Sequence, residues 1–373
     1  MFFPRRGAGL AARQGRPGVK PPFRADHVGS LLRPDRLTRA RNIRSRDLRE
    51  IQEQAILDVV AKQEQIGLES ITDGEFSRDW WHLDFMKGLD GVTLAHNPGP
   101  KFAGSEEQPP IPNVTGELRY SKPVMVGDFA FLKSITRRTA KFTIPSPSML
   151  HLRAGRAGIS REAYPDLDEF WDDAAQAYRM AIAAFAEAGC TYLQLDDVSF
   201  AYLCDPKIRD NARKNGDDPD ALPGIYADTI RKAIQGRPAG MTITMHTCRG
   251  NFKSAWVAEG GYEPVAESMF SSGVDGFFME FDSARAGGFE PLRFVPKGKK
   301  VVLGLVSSKT GTLESAEDLK RKIDQAAKYV PMENLCLSPQ CGFSSTHHGN
   351  KLTEDEQWRK LERVVEVAKE VWR

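Results

Sequence analysis

His246 and Cys248 are separated by one residue in the run Thr242-Ile-Thr-Met-His-Thr-Cys248. Residues two apart on a strand project to the same side, so an imidazole and a thiol leave this segment together. Glu280 closes Gly276-Phe-Phe-Met-Glu280, and Cys341 follows Leu335-Cys-Leu-Ser-Pro339 by two residues. One nitrogen, one oxygen and two sulfur donors form a ligand set suited to Zn2+. An H-x-C pair or a solitary Cys carries little weight, since free Cys is commonly a small core hydrophobe. The weight lies in all four residues falling at the C-terminal ends of strand-like runs. Cys190, Cys204 and Cys336 read as core residues, while His347 and His348 follow Cys341 closely enough to be spare ligands.

Eight short runs have strand character: Phe23–Gly29, Ser70–Glu75, Lys141–Ser146, Tyr192–Asp197, Thr242–Thr247, Gly276–Phe281, Lys300–Val306 and Asn334–Pro339. Several are rich in Val, Ile, Phe and Leu, as parallel strands buried on both faces are. Helix-period stretches lie between them: Leu48–Gln65, Leu167–Ala188, Asp220–Ile234, Ser254–Ser272, Ser315–Tyr329 and Asp355–Trp372. This alternation predicts an α/β fold, a (β/α)8 TIM barrel over residues 22–373, whose C-terminal rim is where barrel enzymes carry their sites. No G-x-G-x-x-G follows the first run, against a dinucleotide-binding sheet. Residues 87–139, with Pro98, Pro100, Pro109, Pro110 and Pro112, read as an insertion after the second strand, a hairpin excursion over one barrel face.

The chain has 373 residues, 40% of them apolar, and a net charge of +2. That balance argues against nucleic-acid or anionic-membrane partners, and no apolar run reaches the roughly 18–20 residues a membrane span needs. Five cysteines, an odd and sparse count, fit reduced thiols in a cytoplasmic setting. Residues 1–21 hold Arg5, Arg6, Arg13, Arg16 and Lys20 and no acid before the barrel begins. They lack the apolar core of a secretory signal and read as a disordered basic arm.

Three further motifs accompany the donor set: His27-Val-Gly-Ser30, Asp73-Gly-Glu75 and Gln194-Leu-Asp196-Asp197. With them, Phe23 to Arg373 resembles the catalytic C-terminal barrel of the cobalamin-independent methionine synthases, within the wider group that includes uroporphyrinogen decarboxylase. The resemblance implies zinc on His246, Cys248, Glu280 and Cys341, and an amino-acid thiol held by Ser30, Glu75, Asp196 and Asp197. It implies methyl transfer from a 5-methyltetrahydrofolate-type donor to homocysteine, the partners being these small molecules. A neutral thiol is a poor nucleophile at pH 7, and zinc would hold it as the thiolate. Plainer readings stand beside these. Asp73 and Asp197 fit helix caps; Trp80 and Trp81 fit either stacking on a flat ring or packing; Arg249 fits an anion site or a neighbouring carboxylate.

Two departures from the family matter. The synthases carry two barrels and this chain has room for one, which leaves the folate tail without its usual second half. After the seventh strand the family has His-Ser-Pro, whereas here the stretch reads Gly304-Leu-Val-Ser-Ser-Lys309-Thr310. Lys309 is the nearest titratable group and, with Asp196, the candidate for catalytic proton handling; it also fits an anion site. Another zinc-thiol alkyl transfer, like that of epoxyalkane:coenzyme M transferase, is the second reading, with Arg249 or Lys309 meeting a sulfonate. A zinc-binding barrel without catalysis is the third.

Overall fold

The structure, a computed structural model, describes residues 20–95 and 110–373. Its strands are β1 Ser70–Ile71, β2 Asp90–Ala95, β3 Ile111–Arg119, β4 Thr139–Pro145, β5 Tyr192–Asp197, β6 Thr242–Thr247, β7 Gly276–Glu280, β8 Lys300–Val306 and β9 Leu335–Pro339. Seven of them form one curled sheet in the order β1-β4-β5-β6-β7-β8-β9, every neighbouring pair parallel. Every residue of β5 and of β6 is buried, as helices outside and side chains inside require.

The segment expected as the first strand takes the eighth position, but side chains do most of its bonding. It joins β9 through one parallel bridge, Ala25 to Leu337. The Asp26 N–H donates to Leu337 O at 3.0 Å, and the Leu337 N–H to Arg24 O at 2.8 Å. Toward β1 the links are Ser70 Oγ to Asp26 Oδ1 at 2.8 Å and Thr72 Oγ1 to Gly29 O at 2.6 Å. Asp26 is the knot. It also accepts from the Phe23 N–H, the His27 N–H and the Tyr192 hydroxyl, and pairs with Lys141 Nζ at 3.1 Å, both side chains fully buried. Lys141 Nζ further donates to His27 O and lies 4.0 Å from the Phe278 ring centre. The run expected over Ser70–Glu75 shortens for the same reason: the Thr72 N–H is taken by the Gln63 side chain at 3.0 Å.

Helices at Leu48–Ile66, Leu167–Glu187, Leu222–Ala233, Ala316–Ala326 and Glu354–Val371 follow the expected stretches. Asp166 and Ser315 cap two of them, and Thr353 with Glu356 forms a capping box on the last. The helix expected over Ser254–Ser272 is the exception, with only Ala266–Phe270 helical in the main. Lys253 and Ser254 have positive φ, and a side chain at Gly260 would meet Cys204 O at 2.5 Å. The chain here runs close along another loop, and a helical backbone does not fit. The expected hairpin excursion is present as the antiparallel pair β2–β3, tied to the barrel by the Leu118 N–H donating to Tyr164 Oη at 2.6 Å. Residues 1–19 of the basic arm, and Pro98, Pro100 and Pro109, lie outside the described residues. Among the described residues no helix is long and apolar enough to cross a membrane.

Lys141→Met leaves the Asp26 carboxylate buried without its cation. Removing one partner of a buried pair costs about 3–5 kcal/mol. Chemical denaturation is expected to show a loss of that size, and a loss under about 1 kcal/mol would mean that the pair does not hold the closure.

Candidate active site

The parallel register places Asp196 directly beside His246 on neighbouring strands, and β7 brings Glu280 to the same rim. The Cys248 N–H donates to Asp197 O at 2.7 Å, continuing the ladder one step past β6. Cys341 arrives from the turn after β9. The Cys248 and Cys341 sulfurs are 3.4 Å apart, and donor atoms of His246, Cys248, Glu280 and Cys341 all lie within 4.8 Å of one another. A four-coordinate ion with bonds of about 2.0–2.3 Å spaces its donors by about 3.3–3.8 Å, so the set fits one ion. Gly342 follows Cys341 because a side chain there would strike Ser30 Oγ at 2.0 Å.

The charge balance points to a cation as well. Hydrogen bonding between the two thiols pulls Cys341 down to about 7 and pushes Cys248 well up, so the pair shares a proton. Burial works against protonation of His246, yet the hydrogen bond to Asp196 and the neighbouring Cys341 and Glu280 raise it to about 9. A cluster that forces an imidazole to carry positive charge is better satisfied by a divalent ion. Glu280 is steadied by the Arg249 backbone N–H at 3.2 Å on one oxygen and by Arg285 at 3.3 Å on the other.

One cavity joins His246, Cys248 and Cys341 of this cluster to Ser30, Glu75 and Asp196. Glu75 sits at positive φ, 60°, after a glycine turn. Its Oε1 accepts from Thr143 Oγ1 at 2.9 Å, while Oε2 is buried without a partner. Burial, opposed by Arg78 and reinforced by Asp196 and Asp73, raises Glu75 to about 7. Asp196 Oδ1 accepts from Gln194 Nε2 at 2.7 Å and lies 3.4 Å from His246 Nδ1. Two carboxylates lining a cavity beside this donor set make a place for a small cationic group.

Comparison with known proteins decides the family. The profile described as cobalamin-independent synthase, catalytic domain, matches residues 33–370. The chain belongs to that family. The uncharacterized protein YxjH of Bacillus subtilis is 48% identical over 95% of this chain and 96% of its own length. A crystal structure of the putative vitamin-B12 independent methionine synthase from Listeria monocytogenes, 38% identical, superposes with a TM-score of 0.76 over 95% of this chain and 100% of that one. The 5-methyltetrahydropteroyltriglutamate–homocysteine methyltransferase of Bacillus velezensis is 23% identical over 88% of this chain but only 40% of its own length. This cobalamin-independent synthase domain is thus a methionine synthase-like methyltransferase built on a parallel α/β barrel.

Within the synthase domain, the structure sorts the sequence candidates. His246, Cys248, Glu280 and Cys341 come together, and Ser30, Glu75 and Asp196 share a cavity with His246, Cys248 and Cys341, while Glu280 is buried behind its lining. Asp197 does not line it. Its carboxylate accepts from Ser148 Oγ and, at 3.0 Å, from the Phe200 N–H, which is a capping role. Arg249 is fully buried with its guanidinium 4.3 Å from the Tyr262 ring centre, reaching toward Ala286 O rather than the cavity. Lys309 donates to Gly250 O at 2.9 Å and also lies outside the cavity lining, its charge acting on the two thiols. Trp80 packs parallel to Phe252 at 6.0 Å and Trp81 leans on His82, both at the mouth. His347 and His348 stack by Trp80, apart from the four donors. Cys190, Cys204 and Cys336 are buried, pushed up to about 12, 11 and 12 by that burial. Arg33, Arg78, His82, Arg153 and Tyr202 were not singled out from the sequence. Only Arg78, three residues after Glu75, had a spacing that signalled it.

Glu75 carries a testable pH signature. Its folded value of about 7 lies above the ordinary 4.5, so its ionisation costs stability as pH rises between those two values. Relative to wild type, Glu75→Gln is expected to gain stability from pH 4.5 to 7 and then level off. Denaturation of the metal-free protein across that range measures it; a wild type that gains on the variant as pH rises would contradict the buried-acid assignment.

Proposed function

We propose that this synthase domain is a zinc-dependent enzyme that moves a methyl group from a 5-methyltetrahydrofolate-type donor to the thiol of homocysteine, forming methionine. The observation that carries the reading is one cavity lined by His246, Cys248 and Cys341 of the four-donor cluster and by the Glu75–Asp196 pair. The name of the Bacillus velezensis relative states that reaction for that protein. Zinc, when bound by the four donors, supplies the Lewis acidity that keeps a substrate thiol ionised near neutral pH.

The chain's own residues do the rest. Glu75 and Asp196 bind the ammonium of the amino-acid thiol, and Ser30 offers its hydroxyl and backbone N–H to the carboxylate. Lys309 and Arg285 place positive charge beside the cluster, which favours its anionic state. The forming S–C bond takes the methyl carbon as its C–N bond breaks, and the leaving nitrogen takes up a proton. Lys309, held on Gly250 O, acts through the charge of the cluster rather than as that proton's source. The coenzyme M reading loses support, because Arg249 and Lys309, the groups it needed for a sulfonate, both lie outside the cavity lining, each held on a backbone carbonyl.

The direct test is methionine formation by purified, zinc-loaded protein from homocysteine and mono- or triglutamyl methyltetrahydrofolate. Thioether formation from coenzyme M and an epoxide, with none from homocysteine, would sink the reading. Two further outcomes follow. Elemental analysis is expected to find one zinc per chain, lost in Cys248→Ser and in Cys341→Ser; full occupancy in either variant removes that residue from the ligand set. Glu75→Gln is expected to lower kcat/KM for homocysteine about tenfold to a hundredfold, the worth of one charge-assisted hydrogen bond. Its zinc content stays at one, and wild-type activity in this variant would remove Glu75 from the ammonium site.

A further inference from the structure

The same cavity has a second group of polar side chains that the proposed chemistry leaves unused. His82, just before the helix Leu83–Met86, is buried, and neither of its ring nitrogens has a partner in the protein. Arg153, in the turn after β4 and the helical turn Pro147–Leu150, is half-buried as a residue, yet its Nε and Nη1 are shielded and unpartnered. The Tyr202 hydroxyl is likewise buried and unpartnered. All three line the cavity, where Arg153 is the only lysine or arginine among the described residues. Its charge reaches the other two: burial and Arg153 together hold His82 well below its ordinary range, and Arg153 offsets part of the burial that raises Tyr202.

Buried donors are rarely left unpaired in a folded protein, and several lining one cavity mark a place where a ligand supplies the acceptors. The guanidinium fork matches a carboxylate with two parallel hydrogen bonds. A neutral imidazole and a phenol each add one N–H or O–H. One cation with two neutral donors balances a single negative charge, which fits a carboxylate better than a phosphate dianion. We propose that Arg153, His82 and Tyr202 form a subsite for a substrate carboxylate, separate from the Ser30–Glu75–Asp196 group. Arg153 and Tyr202 also line an adjoining groove with Lys207, Asn211 and Lys214. A second substrate entering from that groove would pass them first, which points to the alkyl donor as the bearer of the carboxylate; the amino-acid thiol is the other source. The subsite rests on reading this cavity as the substrate site.

Calorimetry on zinc-loaded wild type, Arg153→Met and Arg153→Lys separates the cases, with homocysteine and its decarboxylated analogue 3-aminopropane-1-thiol as probes. Steady-state kinetics with methyltetrahydrofolate follow. If the donor bears the carboxylate, both thiols bind the variants as they bind wild type. The donor KM then rises about tenfold or more in Arg153→Met, less in Arg153→Lys, with kcat at saturation little changed. If the thiol bears it, Arg153→Met weakens homocysteine by that factor and leaves the analogue untouched. Tyr202→Phe is expected to move the same parameter by a smaller factor. Unchanged thiol binding together with an unchanged donor KM in a folded Arg153→Met overturns the subsite alone. Wild type that neither binds homocysteine nor turns over fails the methionine-forming reading and the subsite with it.

Discussion

The parallel register of β5, β6 and β7 is the constraint on which the site depends. A shift of one residue in any of these strands would turn its side chains to the other face. Asp196 sits opposite His246, and Glu280 ends the next strand, because the ladders are locked by backbone hydrogen bonds. The two charges that matter most, a carboxylate and an imidazole, are thus 3.4 Å apart by strand pairing rather than by loop placement. A site built on strand ends is stiffer than one on loops, and a metal ligand set needs that stiffness.

The remaining site residues come from turns, and Arg33 fixes those turns to one another. Its buried guanidinium donates to Ser344 O and Thr346 O from one side, and to Glu75 O and Arg78 O from the other, at 2.9–3.0 Å. Burial and the nearby Arg41 pull it down to about 10, so it stays charged at physiological pH. The loop that carries Cys341 and the loop that carries Glu75 therefore share one anchor. Arg78 extends the anchor to β4 through Thr143 O at 2.7 Å, and Thr143 in turn holds Glu75. Gly29 completes the contact, since a side chain there would press on the Thr143 methyl at 2.9 Å.

This division explains what was legible in the sequence. His246 and Cys248 could be found because an i, i+2 pair at a strand end has one geometry, and Glu280 and Cys341 because they close similar runs. The parallel barrel was readable from buried β-rich runs alternating with helical periods. Phe23–Gly29 has the composition of a full strand, yet Asp26 and Lys141 replace ladder bonds with side-chain bonds, of which periodicity carries no sign. The helix expected over Ser254–Ser272 failed because the close approach of Gly260 to Cys204 is a tertiary demand. Asp197, Arg249 and Lys309 stood at rim positions by sequence, but rim position does not say which way a side chain turns. His82, Arg153 and Tyr202 come from turns and short helices whose register against the cavity no local pattern encodes.

Glu75 joins the electrostatics of the cavity to its proposed chemistry. Burial, opposed by Arg78 and reinforced by Asp196 and Asp73, holds it up at about 7. On the proposed reading, an ammonium between Glu75 and Asp196 would cancel their repulsion and let Glu75 ionise. A thiol bound to the metal would give up its proton in the same event, since only its anion is a good ligand. Binding of such a substrate would then release protons from two sources, one at the ammonium end and one at the sulfur. The carboxylate pair therefore selects a cationic group and penalises an anionic one, while Arg153 supplies the compensating positive charge for an anion elsewhere in the cavity. A cavity lined by both carboxylates and a guanidinium orients a zwitterionic or two-substrate assembly, and it does so before any bond is made or broken.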